Sequence, residues 1–285
     1  MFMQKRSKVG IVCCSNGQSH SNKEILENLQ KILTEIGLLP IFSDYIYEKD
    51  SVFSGTAKER ADALMRFYEE EEIKAIFDIS GGDLANEILP YLDFDIIAEA
   101  KKQFWGYSDL TTIINAIYAK TGHTSVLFQI KNLVLGNSAD RIELFKKAVL
   151  NGKNDLFSPK YEFVQKETMQ GILVGGNIRC LLKLAGTPYW PDMNEKILLL
   201  ESLEGQVPQI VTLLNQLKQM GVFEKINGIL LGTFSAMEKN RCTPDIVTLV
   251  KQYAGSDIPI AVTKEIGHGV DSKAVIIGKQ MVLAS

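Results

Sequence analysis

Gln103-Phe104-Trp105-Gly106-Tyr107-Ser108-Asp109-Leu110-Thr111-Thr112-Ile113-Ile114-Asn115-Ala116-Ile117, residues 103–117, decides the fold. Gln103–Tyr107 is a short apolar run of strand type, while Leu110, Ile113, Ile114 and Ile117 recur at helical spacing. Between the two periods stands Ser108-Asp109, at the end of a strand and in the first turn of an apolar-faced helix. A strand that turns at once into a helix is half of a βαβ unit.

The same alternation extends in both directions. Lys8–Cys13 and Leu38–Phe42 read as strands and Ala75–Ile79 as a buried one. A helix carries Ile25, Leu29, Ile32, Leu33 and Ile36 on one face, with Gly37 placed to end it, and Ala57–Glu70 is a second, more charged helix. Alternation of this kind predicts a parallel sheet with helices on both faces, with ligands gathering at the carboxyl ends of the strands. Asn137–Phe163 breaks the pattern, with one amphipathic helix around Ile142–Leu150, and reads as a connection between lobes. Beyond it Lys196–Leu200, Ile226–Leu231 and Ile258–Val262 are strands, Ala274–Leu283 carries closing strands, and Thr243-Pro244 opens a helix. The expectation is an α/β protein of two lobes. Residues 1–150 form an N-terminal parallel-sheet, flavodoxin-like lobe, and residues 151–285 a smaller C-terminal α/β lobe.

The chain has 285 residues, of which 46% are hydrophobic and 23% charged, enough to bury a core without staples or metals. A net charge of -3 offers no basic patch to a phosphate backbone, so nucleic acid is not expected as a partner. No apolar run is long enough to span a bilayer, and Met1–Lys8 lacks the apolar centre of a secretory signal, so a cytoplasmic location is expected. The four cysteines include no C-x-x-C pair and read as reduced thiols; the three histidines form no zinc motif, and neither metal nor cofactor is expected.

Several residues at predicted strand ends could carry chemistry. Ser108 would project above the sheet edge among free backbone N–H groups, although serine and aspartate at this place are also ordinary helix caps. Gly81-Gly82 end a strand and could expose N–H groups to a ligand, or simply form a tight turn. Glu201 follows a buried strand, and His268 stands between Gly267 and Gly269. Each is weak alone. Together they supply a serine, a histidine and a carboxylate at carboxyl ends of strands, the three parts of a nucleophile activated by an oriented base. His20 and His123 read as surface or capping residues.

At these residues the sequence resembles the serine peptidases of the LD-carboxypeptidase and microcin C immunity family. The resemblance runs over most of the chain: Ser80-Gly81-Gly82 with Leu89-Pro90-Tyr91-Leu92-Asp93-Phe94-Asp95, Gly106-Tyr107-Ser108-Asp109-Leu110-Thr111, Gly175-Gly176-Asn177, Gly186-Thr187-Pro188-Tyr189-Trp190-Pro191-Asp192, Leu198-Leu199-Leu200-Glu201, Gly228-Ile229-Leu230-Leu231-Gly232 and Gly267-His268-Gly269. It implies a two-lobed hydrolase with its active site between the lobes, Ser108 as nucleophile, His268 as general base and Glu201 as the residue that orients the histidine. The implied oxyanion hole uses backbone N–H groups of Gly82, or Gly81, and Asp109. A homodimer and a small peptide or peptide-like substrate are implied as well. That substrate is the L,D-bond of a murein tetrapeptide or, in the second branch of the family, an aminoacyl-nucleotide conjugate. Two departures bear on the substrate pocket. Leu127-Phe128-Gln129-Ile130 stands where members often carry His-Gly-Pro, and Glu201-Ser202 stands where Glu-Asp is frequent. Arg179 and Lys183 are the cations near family-like segments, with no role assigned. A non-catalytic two-lobed binding protein would share the lobes and the cleft, but usually brings a secretion signal or a DNA-binding headpiece.

Overall fold

The structure is a computed structural model that describes residues 3–136 and 138–285. Strands β1 (Lys8–Val12), β2 (Leu39–Phe42), β3 (Ile73–Asp78), β4 (Gln103–Gly106) and β5 (Ser125–Leu127) run parallel in the order β2-β1-β3-β4-β5. This is the doubly wound, flavodoxin-like order. A second sheet is built from β6 (Glu162–Gln165), β7 (Thr168–Asn177), β8 (Lys196–Ser202), β9 (Gly228–Phe234) and β10 (Ile260–Val262). Here β7 to β10 are parallel and β6 is antiparallel to β10.

The closing segment divides between the sheets. Strand β11 (Val275–Ile277) crosses back and pairs antiparallel with β5, while β12 (Gln280–Ala284) pairs antiparallel with β7. A two-residue turn, Gly278-Lys279, therefore joins an edge of one sheet to an edge of the other.

Nine α-helices lie among the described residues: α1 (Lys23–Ile36), α2 (Ala57–Glu69), α3 (Phe94–Ala100), α4 (Thr111–Thr121), α5 (Ala139–Asn151), α6 (Ile178–Leu182), α7 (Val207–Gln219), α8 (Ser235–Lys239) and α9 (Ile246–Ala254). Side chains alternate along each strand and sort the core into layers. On β3 and β4, Phe77 and Trp105 pack with Leu29 and Leu33 of α1 and with Phe145 and Val149 of α5. Ile76 and Phe104 point the other way, into a layer with Leu64 and Tyr68 of α2 and Ile113 and Ile117 of α4. Leu199 of β8 and Leu230 of β9 enter that same layer, and their neighbours Leu198, Leu200 and Leu231 pack outward on Ile210, Leu214 and Leu249 of α7 and α9. Helix α4, the one that follows Ser108, is thus held in the core shared by both sheets.

Polar groups on α4 fix its position against the second sheet. Asn115 Oδ1 accepts the Gly175 N–H at 2.8 Å and its Nδ2 donates to Gly175 O at 3.0 Å. Thr111 Oγ1 accepts the Asn177 N–H at 3.0 Å, and Thr112 Oγ1 donates to Cys180 O at 3.1 Å. All three side chains are fully buried, so each bond forms away from competing water.

Two sequence expectations change. The part of 137–163 after position 137, which itself lies outside the described residues, is more than a connection: α5 and Leu156 pack into the core of the first sheet before the chain reaches β6. Pro244 does not open a helix. Asp245 takes the N-cap instead, its carboxylate accepting the Thr248 N–H at 2.8 Å, and α9 begins at Ile246.

Candidate active site

Segments at the carboxyl ends of four strands meet where the two sheets face each other. The first follows β4. Ser108 sits there at φ 56°, in the left-handed region that a non-glycine residue enters at a cost of about 1–3 kcal/mol. The strain turns the chain abruptly from strand to helix and leaves the serine at the tip of the bend, the geometry of a nucleophile elbow without its glycine pattern. Glu201 lies inside β8, in register with Asn177 of β7, and its side chain is completely buried. His268 stands in the loop after β10. That loop is held by the Thr233 N–H to Ile266 O at 2.8 Å and by Ser272 Oγ to Gly267 O at 2.5 Å.

The structure brings these three side chains into one line. Ser108 Oγ is 3.1 Å from His268 Nε2, and His268 Nδ1 is 2.7 Å from Glu201 Oε2. In the tautomer with the proton on Nδ1, that nitrogen donates to Glu201 Oε2 and Nε2 keeps a lone pair toward the serine. His268 itself is about one-tenth exposed, open enough to meet a substrate.

Tyr107 belongs to the same cluster and was not singled out from the sequence. Its hydroxyl donates to Glu201 Oε2 at 3.1 Å, and its ring meets the imidazole edge-on at 4.8 Å between centroids. Burial, with the Glu201 charge second, holds the phenol well above its ordinary range, so it stays a donor. The other Glu201 oxygen, Oε1, is buried with no partner among the described residues.

Gly81 and Gly82 lie at the turn after β3, beside the serine turn. Gly82 has φ 115°, and a Cβ there would fall 2.2 Å from Asn16 Cγ, so only glycine fits. Gly81 has open space around it. The Asp109 carboxylate ties this turn to the serine turn. It is fully buried; Oδ2 accepts from Ser15 Oγ at 2.7 Å and from the Ala85 N–H at 2.9 Å, and Oδ1 takes Lys183 Nζ at 2.6 Å. Lys183 also reaches Asp83 Oδ1 at 3.1 Å, and Arg179 pairs with the same Asp83 oxygen. Burial opposes ionisation of Asp83, but the bonds from Arg179 and Lys183 outweigh it and hold the carboxyl below its usual range. The two cations thus have carboxylate partners from the first lobe, an ion-pair role that spacing in the sequence does not reveal.

Among the described residues no group of three or more His, Cys, Asp or Glu side chains is arranged to hold a metal ion, and no helix is long and apolar enough to cross a membrane. A cavity of about 770 Å³ opens at the amino ends of β3, β4 and β5 beside Lys74, Gln103 and His123. It holds none of the assembled residues; the reacting geometry, not cavity size, locates the site.

Two sheets with a serine, a histidine and a carboxylate brought together between them form an arrangement whose class follows from comparison with known proteins. Residues 9–127 match the LD-carboxypeptidase N-terminal domain and residues 170–283 the LD-carboxypeptidase C-terminal domain. The chain belongs to the LD-carboxypeptidase family and is a carboxypeptidase-type hydrolase. It is 27% identical to a probable murein peptide carboxypeptidase of Bacillus subtilis, over 99% of this chain and 90% of that one. Among solved structures, an MccF-like protein from Bacillus anthracis superposes with a TM-score of 0.87 at 27% identity, over 100% of this chain and 95% of that one. MccF in complex with glutamyl sulfamoyl guanosine shares the fold, with a TM-score of 0.86 at 21% identity over 99% and 97% of the two chains.

Proposed function

We propose that the protein is a serine carboxypeptidase that cleaves an amide bond next to a free carboxylate, the L,D-bond of a murein tetrapeptide being the leading substrate. The observation that carries this reading is the unbroken line from Ser108 Oγ through His268 to Glu201, at 3.1 and 2.7 Å. Ser108 Oγ attacks the scissile carbonyl carbon while its proton passes to His268 Nε2. Glu201 holds the ring in the required tautomer and stabilises the imidazolium. The carbonyl oxygen, now an anion, is received by backbone N–H groups of Gly82, or Gly81, and Asp109. The C–N bond then breaks, and His268 returns the proton to the leaving amine. Water, giving a proton to His268 Nε2, attacks the acyl-serine ester; the C–O bond breaks, the acid is released, and Nε2 returns the proton to Ser108 Oγ.

A second substrate reading is supported by the likeness to MccF and the MccF-like protein: an aminoacyl-nucleotide conjugate with the same acyl bond and a different leaving group. The homodimer and the cytoplasmic location expected from the sequence are part of this proposal. Incubation with a murein tetrapeptide and, separately, with an aminoacyl sulfamoyl adenylate, reading products by mass, tests it. Loss of the terminal D-alanine supports the first reading and release of the free amino acid the second. No cleavage of either would overturn both.

A further inference from the structure

We propose that Tyr107 is a positioning residue that ties the turn of the nucleophile to the Glu201–His268 pair and tunes His268 as a base through Glu201. The inference rests on the triad reading given above and adds a fourth member to it.

Tyr107 is the residue before Ser108, so the two move together, and the strained φ of 56° at Ser108 leaves that turn little freedom to adjust. Ser108 comes from the first sheet, whereas Glu201 and His268 come from the second. Tyr107 is the first-sheet side chain that donates directly to Glu201, at 3.1 Å. It takes the same oxygen, Oε2, that His268 Nδ1 approaches at 2.7 Å. Its ring also lies edge-on to the imidazole, with centroids 4.8 Å apart and planes at 66°. A single side chain therefore touches both other members of the triad and is bonded to the third. The phenol is 4% exposed, so water does not compete for the carboxylate at that point.

The chemistry follows from sharing one oxygen. A hydroxyl that donates to Oε2 draws off part of the charge that Glu201 would otherwise direct at Nδ1, and it stabilises the deprotonated state of the Glu201–His268 pair. The ionisable groups facing the phenol are Glu201 from β8 and His268 from the loop after β10. On the serine side Asp109 and Lys183 pair with each other.

The test is Tyr107→Phe, which keeps the ring and removes the hydroxyl, with kcat/KM followed against pH on whichever substrate the wild type cleaves. The acid limb should move to higher pH by about one to two units, the worth of one hydrogen bond to a charged group. The plateau of kcat should fall roughly tenfold with KM little changed. In a Glu201→Gln background the same substitution should have little further effect, because the route through the carboxylate is already cut. Fluorotyrosine at position 107, a stronger donor of nearly the same shape, should move the limb the opposite way, and it keeps the question answerable if the phenylalanine variant folds poorly. An acid limb that stays in place in both variants would overturn the inference. Ser108→Ala measured in parallel separates the two levels: an active alanine variant refutes the triad, whereas an inactive one with an unmoved limb in Tyr107→Phe refutes only the role given to Tyr107.

Discussion

Lys183 of the second lobe closes on Asp109 of the first at 2.6 Å, beside the residue that bears the candidate nucleophile. The carboxylate is completely buried and the lysine side chain only 17% exposed. Arg179 and Asp83, one step outward, are about half exposed. The two ion pairs join the same lobes but differ in burial, and burial decides what each contributes.

Lys183→Met should leave Asp109 as an uncompensated buried charge and lower stability by about 3–5 kcal/mol. Arg179→Met removes an exposed pair and should cost no more than about 1 kcal/mol. Urea unfolding of the two variants checks this. Equal and small losses would mean that the Asp109 pair does not hold the lobes.

Asp83 gives the pH dependence of that junction. Its carboxyl is held below the usual range in the folded protein, so it contributes stability above the ordinary carboxylate pKa of about 4 and loses it as pH falls through the lower, folded value. The stability gap between wild type and Asp83→Asn should therefore be widest near neutral pH and narrow in acid. Melting temperatures from pH 7 down to 3 test the sign; a gap that widens in acid would reverse the assignment.

Gly267 places the imidazole. Its φ is 154°, and a Cβ there would lie 1.7 Å from Thr233 Oγ1. Gly267→Ala should push the loop, and His268 with it, away from Ser108. A displacement near 1 Å is enough to cost about a hundredfold in kcat/KM. Activity within a few fold of wild type would show that the loop accommodates the methyl and that the 3.1 Å contact is not finely set.

Much of this arrangement was legible in the residues. Runs such as Gln103–Tyr107 and Lys196–Leu200, being buried on both faces, stand out as unbroken apolar stretches, and helices such as α1 declare themselves by period and cap. Strand β7 was harder: Thr168–Asn177 mixes polar residues with three glycines, and only pairing with β8 and β12 makes it a central strand. The split of residues 274–284 between two sheets is a tertiary choice that no local pattern encodes. At the site, Ser108, Glu201 and His268 were visible as chemistry-bearing types at strand ends. Tyr107 was not, because a tyrosine in an apolar run reads as core, and Lys183 stood out only as a cation without a role, because nothing local names its partner. Their roles come from partners 94 and 74 positions away in the chain.

The most direct measurement of the central claim is the turnover of Ser108→Ala, on whichever of the two substrates the wild type cleaves, with circular dichroism and melting temperature recorded on the same sample. The expected outcome is a loss of roughly a thousandfold or more with the fold unchanged, because the hydroxyl at the tip of the turn does chemistry and little packing. A folded alanine variant that still turns over at a rate near wild type would contradict it.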